Sequence, residues 1–536
     1  MCGTVGIYNP NKIYGNYKKI IKDMADEIIH RGPNSDGYHI DESVAFGFRR
    51  LSMVDLSSNG SQPFYTKNKD KVMVFNGEIY NYKGIKKELL EDGYEFISKT
   101  DSEVLLYGYD KWGEKILDKV RGMFGFAVWN KEKEELFIAR DFFGIKPLYY
   151  TRNTTDGSLL FGSEIKSFTK NPNFIKEFNE NMLKPYLEGR QIETDETFFK
   201  GVYKLKPGHF LKMKNNNMEI KKYWNVEVRS SKKSKEEYIE NIKNTIQESI
   251  DLHKETDTEL GAFLTKTSDL YVSNSSSPVD TFGFAVEENK QNIQEEFSKE
   301  INAKYHEVKI TPEDCFKNIE RIQYLLDDPN PSFLCMEIYF LSQEARKYVT
   351  AIMTGDGAEE LFIKKEDVIT KEEIEYNNKK VSKILNKELA EYIEEINVAN
   401  NIQSRISQEK LLVADKMSSA QSMEMRSPFI DRKVVEEIYN VPKDFSEKEL
   451  EEVLKKLLEE VAINKIIKIE NPINNWLKEE KYFNIVKEEL NLNVAKDYLD
   501  SEKIEELLED KKDFKYNLIW RIYTFLLWYK EYFVNR

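Results

Sequence analysis

The chain opens MCGTVGIYNP, and Cys2 is the first side chain able to do covalent chemistry. Once Met1 is removed, its thiol lies beside a free α-amine with an ordinary pKa of about 8. Such an amine serves as general base for its own side chain, so no histidine is required. The apolar alternation TVGIY would hold that terminus in a buried strand. A chance cysteine at position 2 fits the same letters. A second stretch, GAFLTKTSDLY at residues 261 to 271, runs from apolar residues straight into a polar turn. Phosphate-binding loops sit at such junctions in open α/β sheets. No glycine follows the apolar run here, so a plain surface turn is the competing reading.

These groups need a frame to hold them. The 536 residues allow two to four domains. Hydrophobic residues are 40% and charged residues 32%, the balance of a globular chain with ample core. The net charge of −14 argues against nucleic acid or an anionic membrane as partner, though a local basic patch stays possible. No run of about twenty apolar residues marks a membrane span, and no basic start followed by an apolar stretch marks a signal peptide. Three cysteines, Cys2, Cys315 and Cys335, make no disulfide framework and point to a reducing, cytoplasmic setting. None of the five histidines has a close Cys or His neighbour, so no zinc site is expected.

Up to about residue 212 the chain alternates short strands, such as KVMVFNGEIYN, ELFIARD and SLLFGSEI, with helical stretches such as NYKKIIKDMADEIIH. This is the pattern of an α+β layered domain. A polar, charged piece over 213–235 reads as a linker. From 236 the pattern becomes strand, helix, strand. LGAFL, VDTFGFAV, HEVKIT and TAIMT read as strands, and NIQEEFSKEINAKY and FLCMEIYFLSQEARKYV as helices. That alternation predicts a doubly wound parallel sheet. Beyond about residue 366 the pattern is almost all helical, with Glu and Lys runs that read as solvated faces.

Blocks along the first part bear on Cys2. They are HRGPNSDG from His30, RRLSMVD from Arg49, NGEIYN from Asn76, KTDSEVLL around Asp101, RGMFGFAVW and ARDFFGIKPLYY. In order, over nearly all of residues 2 to 210, they resemble the glutaminase domain of class II glutamine amidotransferases. The resemblance implies an αββα N-terminal-nucleophile fold over residues 1–212, with Cys2 as nucleophile. It implies an oxyanion hole from the Asn76 side chain and the Gly77 N–H, since a tetrahedral oxyanion needs two placed donors. It assigns Arg50 to the carboxylate of glutamine and Asp101 to its amine, with Val54 and Glu78 lining the pocket. A surface ion pair is the bland alternative for Arg50 and Asp101.

In the second part, TGDGAEELF from Thr354, MEMRSPFID from Met423 and DDPNPS from Asp327 resemble blocks of the asparagine synthetase B family. That resemblance implies an ATP-pyrophosphatase-like α/β domain over 236–536 and a glutamine-dependent route from aspartate through an adenylate, with an ammonia tunnel between the sites. It implies ATP and Mg²⁺ as cofactors and a homodimer. The implied nucleotide residues are Leu264, Asp269, Phe284, Thr354, Gly355 and Asp356, with Glu359 and Glu360 as metal ligands. Asp356, Glu359 and Glu360 also fit an acidic helix start.

The family's nucleotide loop has the pattern S-G-G-x-D-S. Aligned on Asp269, this chain reads Thr265, Lys266, Thr267, Ser268, Asp269, Leu270, so both glycines and the last serine are absent. Only fourteen residues, TKTSDLYVSNSSSP, separate the two strands, and they lack an apolar helix face. The helix after the loop is therefore expected to be deleted. Ile363, Lys364 and Lys365 replace expected glycines and a tyrosine, and Glu359 stands for an aspartate. Lys465 or Lys468 stands for a C-terminal lysine without clean alignment. The expectation is an enzyme that hydrolyses glutamine while its ATP-dependent transfer to aspartate is weakened or lost. A working asparagine synthetase with an unusual loop, Lys266 binding phosphate as a point charge, and a regulatory or scaffold pseudoenzyme are the rivals.

Overall fold

A computed structural model describes residues 2–11, 16–190, 194–285, 293–362, 370–386, 389, 410–443, 445–459, 471–492 and 494–535. The first part is built from two antiparallel sheets. One runs β10 (Val202–Lys204), β8 (Tyr149–Thr151), β9 (Leu159–Gly162), β1 (Gly3–Tyr8), β3 (Val44–Arg50), β2 (Ser35–Ile40). The other runs β12 (Asn217–Lys222), β11 (His209–Lys214), β7 (Glu135–Arg140), β6 (Gly122–Asn130), β5 (Lys71–Ile79), β4 (Phe64–Tyr65). Their facing side chains, among them Phe46, Phe48, Val72, Val74, Ile138 and Phe161, form one buried cluster. Helix α1 (Tyr17–Asp26) packs on β3, α3 (Asp101–Trp112) covers β5, and α2 (Tyr82–Glu91) packs against α3. The layers are αββα, as expected. Residues 213–222, expected within the linker, instead finish the β11–β12 hairpin of the second sheet. Asn215 holds positive φ at its tip, which is why an asparagine-rich piece looked like a linker.

The second part is a parallel sheet in the order β16 (Lys304–Lys309), β15 (Asp280–Ala285), β14 (Leu260–Phe263), β17 (Ala351–Met353), β18 (Glu424–Arg426). Every pairing in it is parallel. The strand order reverses direction between β14 and β17, so the crevice at their carboxyl ends is the switch point where ligands bind in such sheets. Strand β18 was hidden in a region read as helical. It is only three residues long and carries Glu424 and Arg426, so no apolar alternation announces it.

The helix expected to be missing is present. Residues Thr267–Ser276 form a ten-residue α-helix between β14 and β15. At 1.5 Å per residue it spans about 15 Å, enough to run back along a four-residue strand of about 13 Å. Its amphipathic signal is absent because small polar side chains are buried together with the apolar ones. Ser268, Asp269, Ser273 and Ser276 are buried with Leu270, Tyr271 and Val272. Tertiary packing stabilises it, not an apolar stripe. Ser277 ends it in the left-handed conformation, φ 53°.

Candidate functional site

The first site grows from the start of β1. Pairing Gly3 with Arg49 of β3 lays Cys2 against the chain beyond Arg50. The thiol donates to the Leu51 carbonyl at 3.7 Å. The Cys2 N–H donates to Asn76 Oδ1 at 3.0 Å. This fixes the Asn76 amide, and its Nδ2 is left buried with no hydrogen-bond partner. A buried donor without an acceptor is costly, and here it lies beside a thiol. Gly77 follows on β5 opposite Phe124 of β6. A Cβ at Gly77 would lie 2.0 Å from the Met123 carbonyl, so only glycine fits. Burial pushes the Cys2 thiol pKa up, so the free thiol stays protonated until a base removes the proton.

Asp101 opens α3, and its Oδ2 accepts from the Ile79 N–H at 2.7 Å. Burial raises its pKa to about 6, against the backbone bonds that lower it. Glu78 is raised well above the carboxylate range, by burial first and then by Asp101 and Glu424. Glu78 and Val54 share a cavity of about 270 Å³ with Tyr80, Tyr82 and Lys83. Cys2, Asn76, Gly77, Glu78 and Asp101 thus converge through β5 and the start of α3. Arg50 is turned elsewhere. Its guanidinium donates to the Ser57 carbonyl at 2.7 Å and to the Asp55 carbonyl, and it lines a separate cavity of about 500 Å³ with Arg346. To meet a carboxylate, Arg50 must exchange those two loop bonds.

Reading the sequence missed what holds Cys2 from behind. Arg31 is fully buried and donates from Nε to the Cys2 carbonyl at 3.0 Å. The residue was inside the HRGPNSDG block without a role. Arg426 and Glu424 of β18 were missed too. Arg426 Nε pairs with Glu424 at 2.8 Å, and its Nη2 lies 3.7 Å from Glu78. Strand β18 thus carries two charges of the second part to the edge of the first site.

The second site is the switch-point crevice, where most polar groups are bonded to one another while Glu359 Oε2 is buried without a partner. The Asp269 carboxylate accepts from the amides of Thr265 at 2.7 Å, Lys266 at 3.1 Å and Gly355 at 2.7 Å. Lys266 Nζ is bonded to Asp356. Burial works against the Lys266 charge, but Asp356, Asp269 and Glu359 more than offset it and raise its pKa well above the ordinary value. Asp356 is pushed down, since Lys266 outweighs its burial. Ser268 Oγ donates to Glu359 at 2.8 Å, and Lys410 pairs with Glu360. A Cβ at Gly355 would lie 2.4 Å from the Ser268 carbonyl carbon, so the two loops are closed on each other. Thr354 Oγ1 donates to Asp356 at 3.0 Å. Leu264 and Phe284 are core residues: Leu264 packs with Leu270 and Phe297, and Phe284 against Phe333.

A nucleotide triphosphate with magnesium requires open amides and available carboxylates. In this arrangement Asp269 takes three amides and Lys266 takes Asp356, while one oxygen of Glu359 stays without a partner. Among the described residues no cluster of three or more His, Cys, Asp or Glu is disposed to hold a metal ion. Ile363, Lys364, Lys365, Lys465 and Lys468 lie outside the described residues. Among the described residues no helix is long and apolar enough to cross a membrane.

An N-terminal-nucleophile sandwich with a cysteine at its lip, joined to a parallel sheet with helices, defines a two-domain glutamine amidotransferase. Residues 1–224 match the glutamine amidotransferase domain and residues 241–530 match asparagine synthase. The chain belongs to the asparagine synthase family and is an enzyme of its glutamine-hydrolysing type. It is 29% identical to asparagine synthetase [glutamine-hydrolyzing] 1 of Bacillus subtilis, covering 99% of this chain and 96% of that protein. It is 27% identical to asparagine synthetase [glutamine-hydrolyzing] 3 of the same organism, covering 87% of this chain and 86% of that protein.

Proposed function

We propose that this chain hydrolyses glutamine to glutamate and ammonia at Cys2, while its ATP-dependent transfer of ammonia to aspartate is weakened or lost. The single observation that carries the reading is a contrast between two buried sites. Asn76 Nδ2 is a donor kept without a partner beside Cys2, whereas Lys266 is paired with Asp356 across the crevice. One site is built to receive an oxyanion. The other has filled itself.

In the proposed reaction Met1 is absent and the α-amine of Cys2 takes the thiol proton. The thiolate adds to the amide carbon of glutamine. Asn76 Nδ2 and the Gly77 N–H donate to the developing oxyanion. Collapse expels ammonia, which leaves with the proton from the α-amine, and gives a glutamyl thioester. Water, deprotonated by the same amine, releases glutamate and restores the thiol. Asp101 holds the substrate amine, Arg50 its carboxylate once freed from its loop, and Val54 and Glu78 wall the pocket. We read the glutaminase domain as running past the expected 1–212 through the β11–β12 hairpin to residue 222, with 223–235 as the connection and 236–536 as the synthetase-like domain. The cytoplasmic setting and the homodimer belong to the same reading.

A second reading, a working asparagine synthetase, is favoured by the helix Thr267–Ser276. With that helix and Gly355 in place, breaking the Lys266–Asp356 pair would reopen the crevice to ATP and Mg²⁺. Glutamate release tests the first half of the proposal. The purified chain should release glutamate from glutamine, and Cys2→Ala should abolish it. Equal release by Cys2→Ala would show that Cys2 is not the nucleophile.

A further inference from the structure

Behind the Cys2 thiol runs a buried chain of charges that crosses from one part of the molecule to the other. Arg31 Nε donates to the Cys2 carbonyl at 3.0 Å. Its Nη1 pairs with Glu164 of the same domain at 2.9 Å, and both side chains are fully buried. Its Nη2 pairs at 2.7 Å with Asp415, whose side chain is 1% exposed. Asp415 stands in the helix Leu412–Ser419, which packs against strand β18 and belongs to the second part. Lys146 Nζ reaches the other oxygen of Asp415 at 3.3 Å. Burial alone would disfavour the Arg31 charge, but Asp415 and then Glu164 hold its pKa above the ordinary arginine range.

We propose that Asp415 is a positioning residue for the glutaminase reaction. Through Arg31 the second domain fixes the backbone of the nucleophile, so a chain with an idle synthetase crevice still needs that domain for its first reaction. The inference rests on the reading of Cys2 as nucleophile. Three observations carry it. First, a guanidinium has a planar set of donors whose directions are coupled. With Nη1 on Glu164 and Nη2 on Asp415, the plane is set and Nε has one direction left, towards Cys2. Removing Asp415 takes away one of the two carboxylates that set the plane, and Nε is then held less firmly on Cys2. Second, Cys2 precedes the first residue of β1, so no ladder bond of β1 fixes its carbonyl, and Arg31 does. Third, the pair is enclosed, so water is not at hand to replace the lost partner.

Thiolate attack depends steeply on the angle and distance at which the sulfur meets the carbon. Loss of Asp415 should therefore lower kcat and leave glutamine binding, which uses other groups, nearly unchanged. A merely structural contact would lower only the fraction of folded protein, so kcat per folded enzyme and the rate constant for modifying Cys2 would stay at their wild-type values.

The test uses the full chain as wild type, Asp415→Asn, Asp415→Glu and Asp431→Asn. The last variant breaks another cross-domain pair, Arg121–Asp431 at 2.9 Å, and controls for general loosening. Thermal melts set a temperature at which all four are folded. Asp415→Asn should lose at least tenfold in kcat with KM within about twofold. Asp415→Glu should recover part of that loss, and Asp431→Asn should stay within twofold of wild type. The rate at which a glutamine-shaped diazoketone alkylates Cys2, located by mass spectrometry, should fall with kcat. Unchanged kcat in Asp415→Asn, a rise in KM alone, or an equal loss in Asp431→Asn would overturn the inference and leave the glutaminase reading standing. If Asp415→Asn does not fold, Asp415→Glu decides: wild-type kcat and alkylation rate would overturn the inference, and a loss in both would support it. Wild-type protein that neither hydrolyses glutamine nor is alkylated would overturn the glutaminase reading itself, and this inference with it.

Discussion

Lys266 and Asp356 form a half-buried ion pair across the crevice between β14 and β17, 90 residues apart in sequence. Asp269 and Glu337 crowd the same lysine; burial raises the pKa of both, and the lysine's charge works against that rise. One cation thus balances several carboxylates in a place where related sheets bind ligands.

Lys266→Met should destabilise the second domain, by about 1–3 kcal/mol for loss of one partner of a half-buried pair. The loss should be larger at pH 8 than at pH 6, because the orphaned carboxylates must ionise at the higher pH. Thermal melts at the two values check this. A pH-independent loss would show that Lys266 is held by packing alone.

Glu337 supplies a linkage test in the wild-type protein. Burial raises its pKa to about 8, with Lys266 acting in the opposite direction. A group raised in the folded state contributes stability that is full below its unfolded pKa, about 4.3, and is lost as pH rises through about 8. Unfolding midpoints should therefore show a falling contribution between these values. Glu337→Gln should flatten that slope, as read in urea titrations across the window.

The Asp101 carboxyl should shape the acid limb of glutamine hydrolysis. Its pKa is raised to about 6 by burial, and only the ionised form attracts the substrate amine. The value of kcat/KM should fall as pH drops through about 6 in the free enzyme. Asp101→Asn should remove most activity at all pH values, through KM more than kcat.

Asn76→Ala should lower kcat by about 10²–10³, the usual cost of one oxyanion donor, with KM changed only a few-fold. Gly77→Ala places a Cβ against the Met123 carbonyl and should lose activity together with about 1–3 kcal/mol of stability. Steady-state kinetics and melts separate the two effects.

The layered first part was legible because its strands alternate cleanly and its chemistry sits in contiguous blocks. Cys2, Asn76, Gly77 and Asp101 carry their chemistry in their own side chain or backbone, so residue type and order were enough. Arg31 was not legible as a support, because its partners Glu164 and Asp415 are 133 and 384 residues away. Arg50 was assigned a carboxylate, and the fold shows it bonded to its own loop, a local preference that no spacing reveals. The helix Thr267–Ser276 was read as deleted because periodicity reports only an apolar face, and this helix is packed by serines as well. Strand β18 was missed for the same reason. Short elements buried by charge networks leave no hydropathy signature.

The central claim is that the first site works and the second has closed on itself. The most direct test incubates the purified chain with glutamine, aspartate and Mg·ATP and follows glutamate, asparagine and pyrophosphate together. Glutamate formed without matching asparagine and pyrophosphate is the predicted result. Asparagine formed with stoichiometric pyrophosphate would contradict it and show that Lys266 yields its place to the nucleotide.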